Sequence, residues 1–185
     1  MSGGLRDSDG ELARGARLSR RGRLLQKVTE DPLPAEELRT ALDELTESDF
    51  DPWNRMARGK ETLRELCAHL ALLPTAEAAP MILEFIERFA SPTRFDARYD
   101  LGTPGPLVRT LESLPGYESF LVESIRRAPA PLTIWMVNRI LNESRGTMRY
   151  CVFLGVLRGV LDHPSSPPEI KEEALSCLWG QGEGA

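Results

Sequence analysis

Residues 127–142 read RAPAPLTIWMVNRILN. Two prolines, Pro129 and Pro131, lead into a run that is apolar almost all the way round a helix. At about 100° per residue, Leu132, Ile134, Met136, Val137, Ile140 and Leu141 cover well over half of its circumference. Trp135, Asn138, Arg139 and Asn142 fill the remaining stripe. A helix of this kind is normally enclosed by other helices. Its polar stripe must find hydrogen-bond partners or water, because a buried unpaired amide costs roughly 1–3 kcal/mol. The stretch therefore predicts an all-α fold with this helix sealing a middle layer.

Reading toward the C-terminus, Ser144-Arg145-Gly146 ends that helix. Residues 147–161 are again apolar on nearly all sides, and Gly155 and Gly159 predict a smooth patch where a neighbouring helix comes close. Ser166-Pro167-Pro168-Glu169 reads as a helix start, with serine as the N-cap and glutamate closing a capping box. The helix it opens carries Ile170, Ala174, Leu175 and Leu178 and ends at Gly180.

Toward the N-terminus the pattern repeats. A helix is predicted over 34–47 with Leu38, Leu42 and Leu45 on one face, broken by Asp51-Pro52-Trp53. The next runs over 60–73 with Leu63, Leu66, Cys67 and Leu70 in a stripe. Another runs over 74–90 with Met81, Ile82, Phe85, Ile86 and Phe89 inward. An irregular piece at 95–103 precedes short helices over 106–114 and 117–127. Alternating apolar and polar positions never persist long enough for a strand. Short proline-marked loops make sequential helices antiparallel neighbours.

One internal echo is present. Leu70-x-x-Leu73-Pro74 returns as Leu111-x-x-Leu114-Pro115, 41 residues on, and Ile86-Glu87-Arg88 as Ile125-Arg126-Arg127, 39 residues on. A period near 40 suits HEAT-like or armadillo-like repeats. The expected architecture is all-α: antiparallel helical hairpins stacked as a short HEAT-like, α-solenoid-like array. It forms a single domain over residues 31–180, after a basic, flexible tail over 1–30.

The net charge of −5 is unevenly spread. Residues 1–30 carry +3, which leaves the remainder at −8. An acidic body disfavours phosphate-backbone binding and suits a partner with a basic surface. Nucleic acid is therefore not an expected partner. A membrane is not expected either, since the longest apolar run, 150–157, is too short to span one. The first 30 residues contain no apolar run of signal-peptide length. Cys67, Cys151 and Cys177 are far apart and fall at apolar helix positions, which predicts buried free thiols in a reducing, cytoplasmic setting.

Side chains that carry chemistry are sparse. Cys67 and His69 are two residues apart and point to different helix faces, and His163 precedes Pro164 in a loop, so no metal site is expected. No nucleophile motif accompanies either histidine. In the 101–106 loop, Pro104 and Pro106 remove backbone donors that an anion cradle needs. No cofactor and no enzyme activity are expected. Asp43, Glu44, Glu47, Asp49 and Asp51 form an acidic bend, read as solvated charge or as a contact patch for a basic partner. Arg139 is expected to lay its stem on apolar neighbours and to pair with an acid or cap carbonyls. Asn138 and Asn142 read as interior or capping amides. Trp53 and Trp135 read as core or core-edge residues, and an exposed tryptophan would be a favoured interface anchor.

Taken together, APMILEFIERF over 79–89, Leu114-Pro115, RAPAP and NRILN resemble the immunity protein 30 family of bacterial polymorphic toxin systems. That family's pattern has an "IESF"-like helix end, a tyrosine, a leucine-proline, an "RAPxW" entry and a "RILN" helix. Here Ile86-Glu87-Arg88-Phe89, Tyr99, Arg127-Ala128-Pro129 and Arg139-Ile140-Leu141-Asn142 stand at those places. The tryptophan comes later, as Trp135, and the loop around 102–106 is longer. The resemblance covers about residues 60–160. It implies a small cytoplasmic protein that binds and blocks a cognate toxin domain without catalysis. It gives Arg127, Pro129, Trp135, Asn138, Arg139 and Asn142 as family-motif positions with structural roles. The alternative is a HEAT-like scaffold or adaptor with an unrelated protein partner.

Overall fold

Helix formation in this chain follows the apolar spacing closely. The computed structural model describes residues 33–51, 53, 57–89 and 105–182, all within the compact unit Pro32–Ala185. The expected tail over 1–30, the irregular piece at 95–103 and Tyr99 lie outside the described residues. Among the described residues there are eight α-helices and no strand. They are α1 (Ala35–Asp43), α2 (Gly59–Leu70), α3 (Thr75–Arg88), α4 (Pro106–Ser113), α5 (Tyr117–Arg127), α6 (Pro131–Glu143), α7 (Met148–Leu161) and α8 (Pro168–Gly180).

Consecutive helices pack as hairpins: α1 on α2, α3 on α4, α5 on α6 and α7 on α8. Alternate helices are neighbours too. The helices α1, α3, α5 and α7 succeed one another in one row, while α2 touches α4 and α6 touches α8 in the other. Polar contacts show that helices within the first row run parallel. Arg39 meets Glu84 and Asp43 meets Arg88 between α1 and α3. Between α5 and α7, Glu118 meets Arg149 near their starts, and the Arg126 carbonyl meets His163 just past the end of α7.

Each helix therefore buries a face toward its hairpin partner and a flank toward its row neighbour, and the core is continuous from Leu33 to Leu178. The stripes expected on α2 and α3 are the buried ones, except that Phe89 is only partly covered. Helix α6 lies against α5, α7 and α8. Ile134, Val137 and Leu141 on it are fully buried, and Trp135, Asn138 and Arg139 are half-buried along its outer stripe. Its start is tied by Thr133, whose hydroxyl donates to the Ala130 carbonyl (2.8 Å) and accepts from the Ala130 N–H (3.1 Å). The turns into α5 and after α6 use Gly116 (φ 74°) and Gly146 (φ 77°), left-handed conformations that cost a Cβ-bearing residue about 1–2 kcal/mol.

Three local expectations are corrected. The first helix ends at Asp43, not 47, and a single 3-10 turn (Glu47–Asp49) follows, closed by Asp49 Oδ2 accepting from the Thr46 N–H at 2.9 Å. The Ser166–Glu169 capping box does not form. Pro167 is the N-cap, and the Ser166 hydroxyl is buried with no hydrogen-bond partner among the described residues. Gly155 and Gly159 are exposed, and a Cβ on either would meet nothing within 4 Å, so no described helix uses them for close approach. The glycine that does mark a close approach is Gly59, where a Cβ would sit 2.4 Å from the Asp49 carbonyl oxygen.

These two kinds of glycine should respond oppositely to alanine. Gly59→Ala drives a methyl into backbone and is expected to cost about 1–3 kcal/mol. Gly155→Ala removes a flexible residue from an open helix interior and is expected to add about 0.5–1 kcal/mol. Urea unfolding followed by far-ultraviolet circular dichroism measures both. A destabilised Gly155→Ala variant would show that this face of α7 is packed after all.

Candidate functional site

The acidic bend between α1 and α2 is held by aromatic packing. Phe50 is buried and meets Phe85 and Phe89 edge-on, at centroid distances of 6.2 and 5.4 Å. Arg88 lies over Phe85 and Phe89, donates to the Leu42 carbonyl (2.6 Å) and the Asp43 carbonyl (3.2 Å), and pairs with the Asp43 carboxylate (3.3 Å). A cation on the last carbonyls of α1 complements that helix's dipole.

Part of the acidity expected to face a partner is thereby used within the fold. Asp43 is paired with Arg88, Asp49 accepts from Thr46, and Asp51 accepts from the Trp53 N–H at 2.9 Å. Glu44 is exposed and Glu47 half-exposed. Asp43 and Glu47 share an open depression with Thr46, Ser48, Arg88 and Phe89. Trp53 is 83% exposed, which corrects its reading as a core or core-edge residue. The Asx-type bond from Asp51 orients its backbone.

The family-motif positions fall elsewhere, along the seams of α5, α6 and α8. Arg127 grips Glu87 with two donors, Nε at 3.0 Å and Nη2 at 2.7 Å, and the Ser124 hydroxyl donates to the same carboxylate at 2.6 Å. The Glu87 side chain is only 13% exposed, and all these donors converge on it. The hydrogen bonds that Arg127 donates to Glu87 raise the Arg127 pKa above its ordinary value. Pro129 is buried at the corner into α6. Glu87 was read in the sequence as part of a repeated tripeptide and of the Ile86–Phe89 piece of the family resemblance, with no bond assigned to it. The signal that could have found it is the 40-residue spacing to Arg127.

Arg139 behaves as expected. Its guanidinium lies 5.2 Å from the Trp135 ring centroid, 3.3 Å from Glu112 and 3.6 Å from Glu143. Trp135 is half-buried against the core. Asn138 is half-buried and Asn142 exposed; both accept from the side-chain amide of Gln181, at 3.1 and 2.7 Å, which fastens the end of α8 to α6. Gln181 had no role in the sequence reading. Beside this seam Tyr117 is pushed up to about 12, first by burial and then by Glu112 and Glu118.

The titratable groups carry structural bonds. His69 accepts from the Leu33 N–H through Nδ1 at 3.4 Å. His163 accepts from the Ser165 N–H through Nδ1 (3.3 Å) and faces the Arg126 carbonyl through Nε2 (3.0 Å), which assigns its proton to Nε2. Among the described residues, no group of three or more His, Cys, Asp or Glu is placed to hold a metal ion. The thiols do not share the buried environment expected of them. Cys67 is buried, Cys177 half-buried and Cys151 exposed. Burial pushes Cys67 up to about 11, against a hydrogen bond to Thr110 that lowers it, so this thiol is a weak nucleophile near neutrality.

A second exposed feature was missed in the sequence. Met148 (79% exposed) and Val152 (52% exposed), with Cys151, Gly155 and Gly159, leave an apolar face of α7 in water. No protein-family model matches the chain, and neither a curated protein nor a solved structure shows significant similarity to it.

Three measurements probe this geometry. A double-mutant cycle on Glu87→Gln and Arg127→Ala should give a coupling of about 1 kcal/mol, the upper end for exposed pairs, because only the arginine is open to solvent. A coupling near zero would remove Glu87 as a fastening point. A thiol reagent on the native protein should modify Cys151 first and Cys177 more slowly, with Cys67 reacting only on unfolding. The folded Cys67 holds its proton more tightly than the unfolded chain does. Its contribution to stability is therefore complete below pH 9 and lost as pH rises from about 9 to about 11. The wild-type minus Cys67→Ala difference in unfolding free energy should decline across that window, and a flat difference contradicts the assignment.

Proposed function

We propose that the protein is a non-catalytic, toxin-neutralising binding protein that docks a cognate toxin domain through its acidic bend. The observation that carries the contact surface is Trp53: a large aromatic, 83% exposed, whose N–H donates to Asp51 and which follows Glu44, Glu47 and Asp49 closely in the chain. An exposed aromatic in an acidic stretch suits a basic protein surface, with the ring supplying affinity and the charges supplying speed and orientation. The immunity role itself comes from the resemblance over residues 60–160. The acidity of residues 31–185 favours a basic toxin domain over nucleic acid. No described helix is long and apolar enough to cross a membrane. A cytoplasmic setting belongs to the same proposal, and the accessible thiol of Cys151 suits a reducing compartment.

The second reading is a HEAT-like scaffold or adaptor with an unrelated partner. It is favoured by the succession of α1, α3, α5 and α7 in one row, as a stacked-repeat protein requires. The two readings part on what the partner is, not on the fold.

The decisive experiment is co-expression with the toxin domain encoded beside this chain. The expected result is a stable complex and loss of toxicity. Trp53→Ala should weaken the complex by roughly 30-fold or more, as expected for a hot-spot aromatic. Its thermal unfolding should stay unchanged, because the side chain is exposed. Neither complex nor protection would overturn the immunity role, and a complex insensitive to Trp53→Ala would move the contact away from the acidic bend.

A further inference from the structure

We draw no further inference here: the strongest candidate, the apolar groove between α5 and α7 that Val152, Gly155 and Gly159 wall beside Ile125 and Val160, is an unpartnered face, and nothing in the structure shows what covers it.

Discussion

In a two-row stack of helices, an inner helix must keep water away from its flanks as well as from the face toward its hairpin partner. Helix α6 meets that constraint with an apolar arc broad enough to lie on α5, α7 and α8 at once. Helices covered on fewer sides need less, and α1 buries only Leu38, Ala41 and Leu42. The apolar spacing of each helix thus follows from its place in the stack. At roughly 25 cal/mol per Å² of apolar surface removed from water, these faces supply the main drive for association. That drive is non-directional and leaves the sliding register of one helix on the next poorly determined.

Register is set by polar contacts at the helix ends. Arg88 on the last carbonyls of α1, the convergence of Ser124 and Arg127 on Glu87, and the Gln181 amide across Asn138 and Asn142 each join helices that are row neighbours. Each joins residues 37–46 apart in the chain. A translation of one helical turn, about 5.4 Å, would separate every one of these pairs. The Glu87 carboxylate would be the most costly to lose, because it is the least exposed of the charged partners and would be left with unmet acceptors.

The all-α class was legible because helical periodicity is a local property, and the stripe of α2 needs only Leu63, Leu66, Cys67 and Leu70 in order. The echo near 40 residues reflects the α3 and α5 row neighbours, which begin 42 residues apart (75 to 117), and it does not continue, since α5 and α7 begin 31 apart (117 to 148). What could not be read depends on which side of a helix ends up without a neighbour. Cys151, Met148 and the two glycines of α7 have the same apolar character as Phe153 and Leu157, yet they face water because no described helix lies beyond them. Trp53 was misplaced for the same reason, since hydrophobicity predicts burial only where something arrives to cover it. The Ser166 cap failed differently: two prolines after the serine shift the helix start by one residue, and Pro167 takes the capping place.

The acidic bend shows how a charge cluster read from sequence divides once it is folded. Asp43, Asp49 and Asp51 each take a donor from within the chain, so the density of acids around 43–51 serves partly to build the bend itself. A carboxylate already bonded to its own backbone gives up less to a partner than a solvated one, because its contacts must be shared or exchanged. The charge left to act outward is therefore smaller than five carboxylates suggest. In the proposed complex, a partner approaching this edge would meet a bend whose shape is held by Phe50 and Arg88, with the Trp53 side chain exposed. Preformed geometry of this kind reduces the ordering cost of association, so in the proposed complex shape and the single aromatic would contribute more to recognition than net charge.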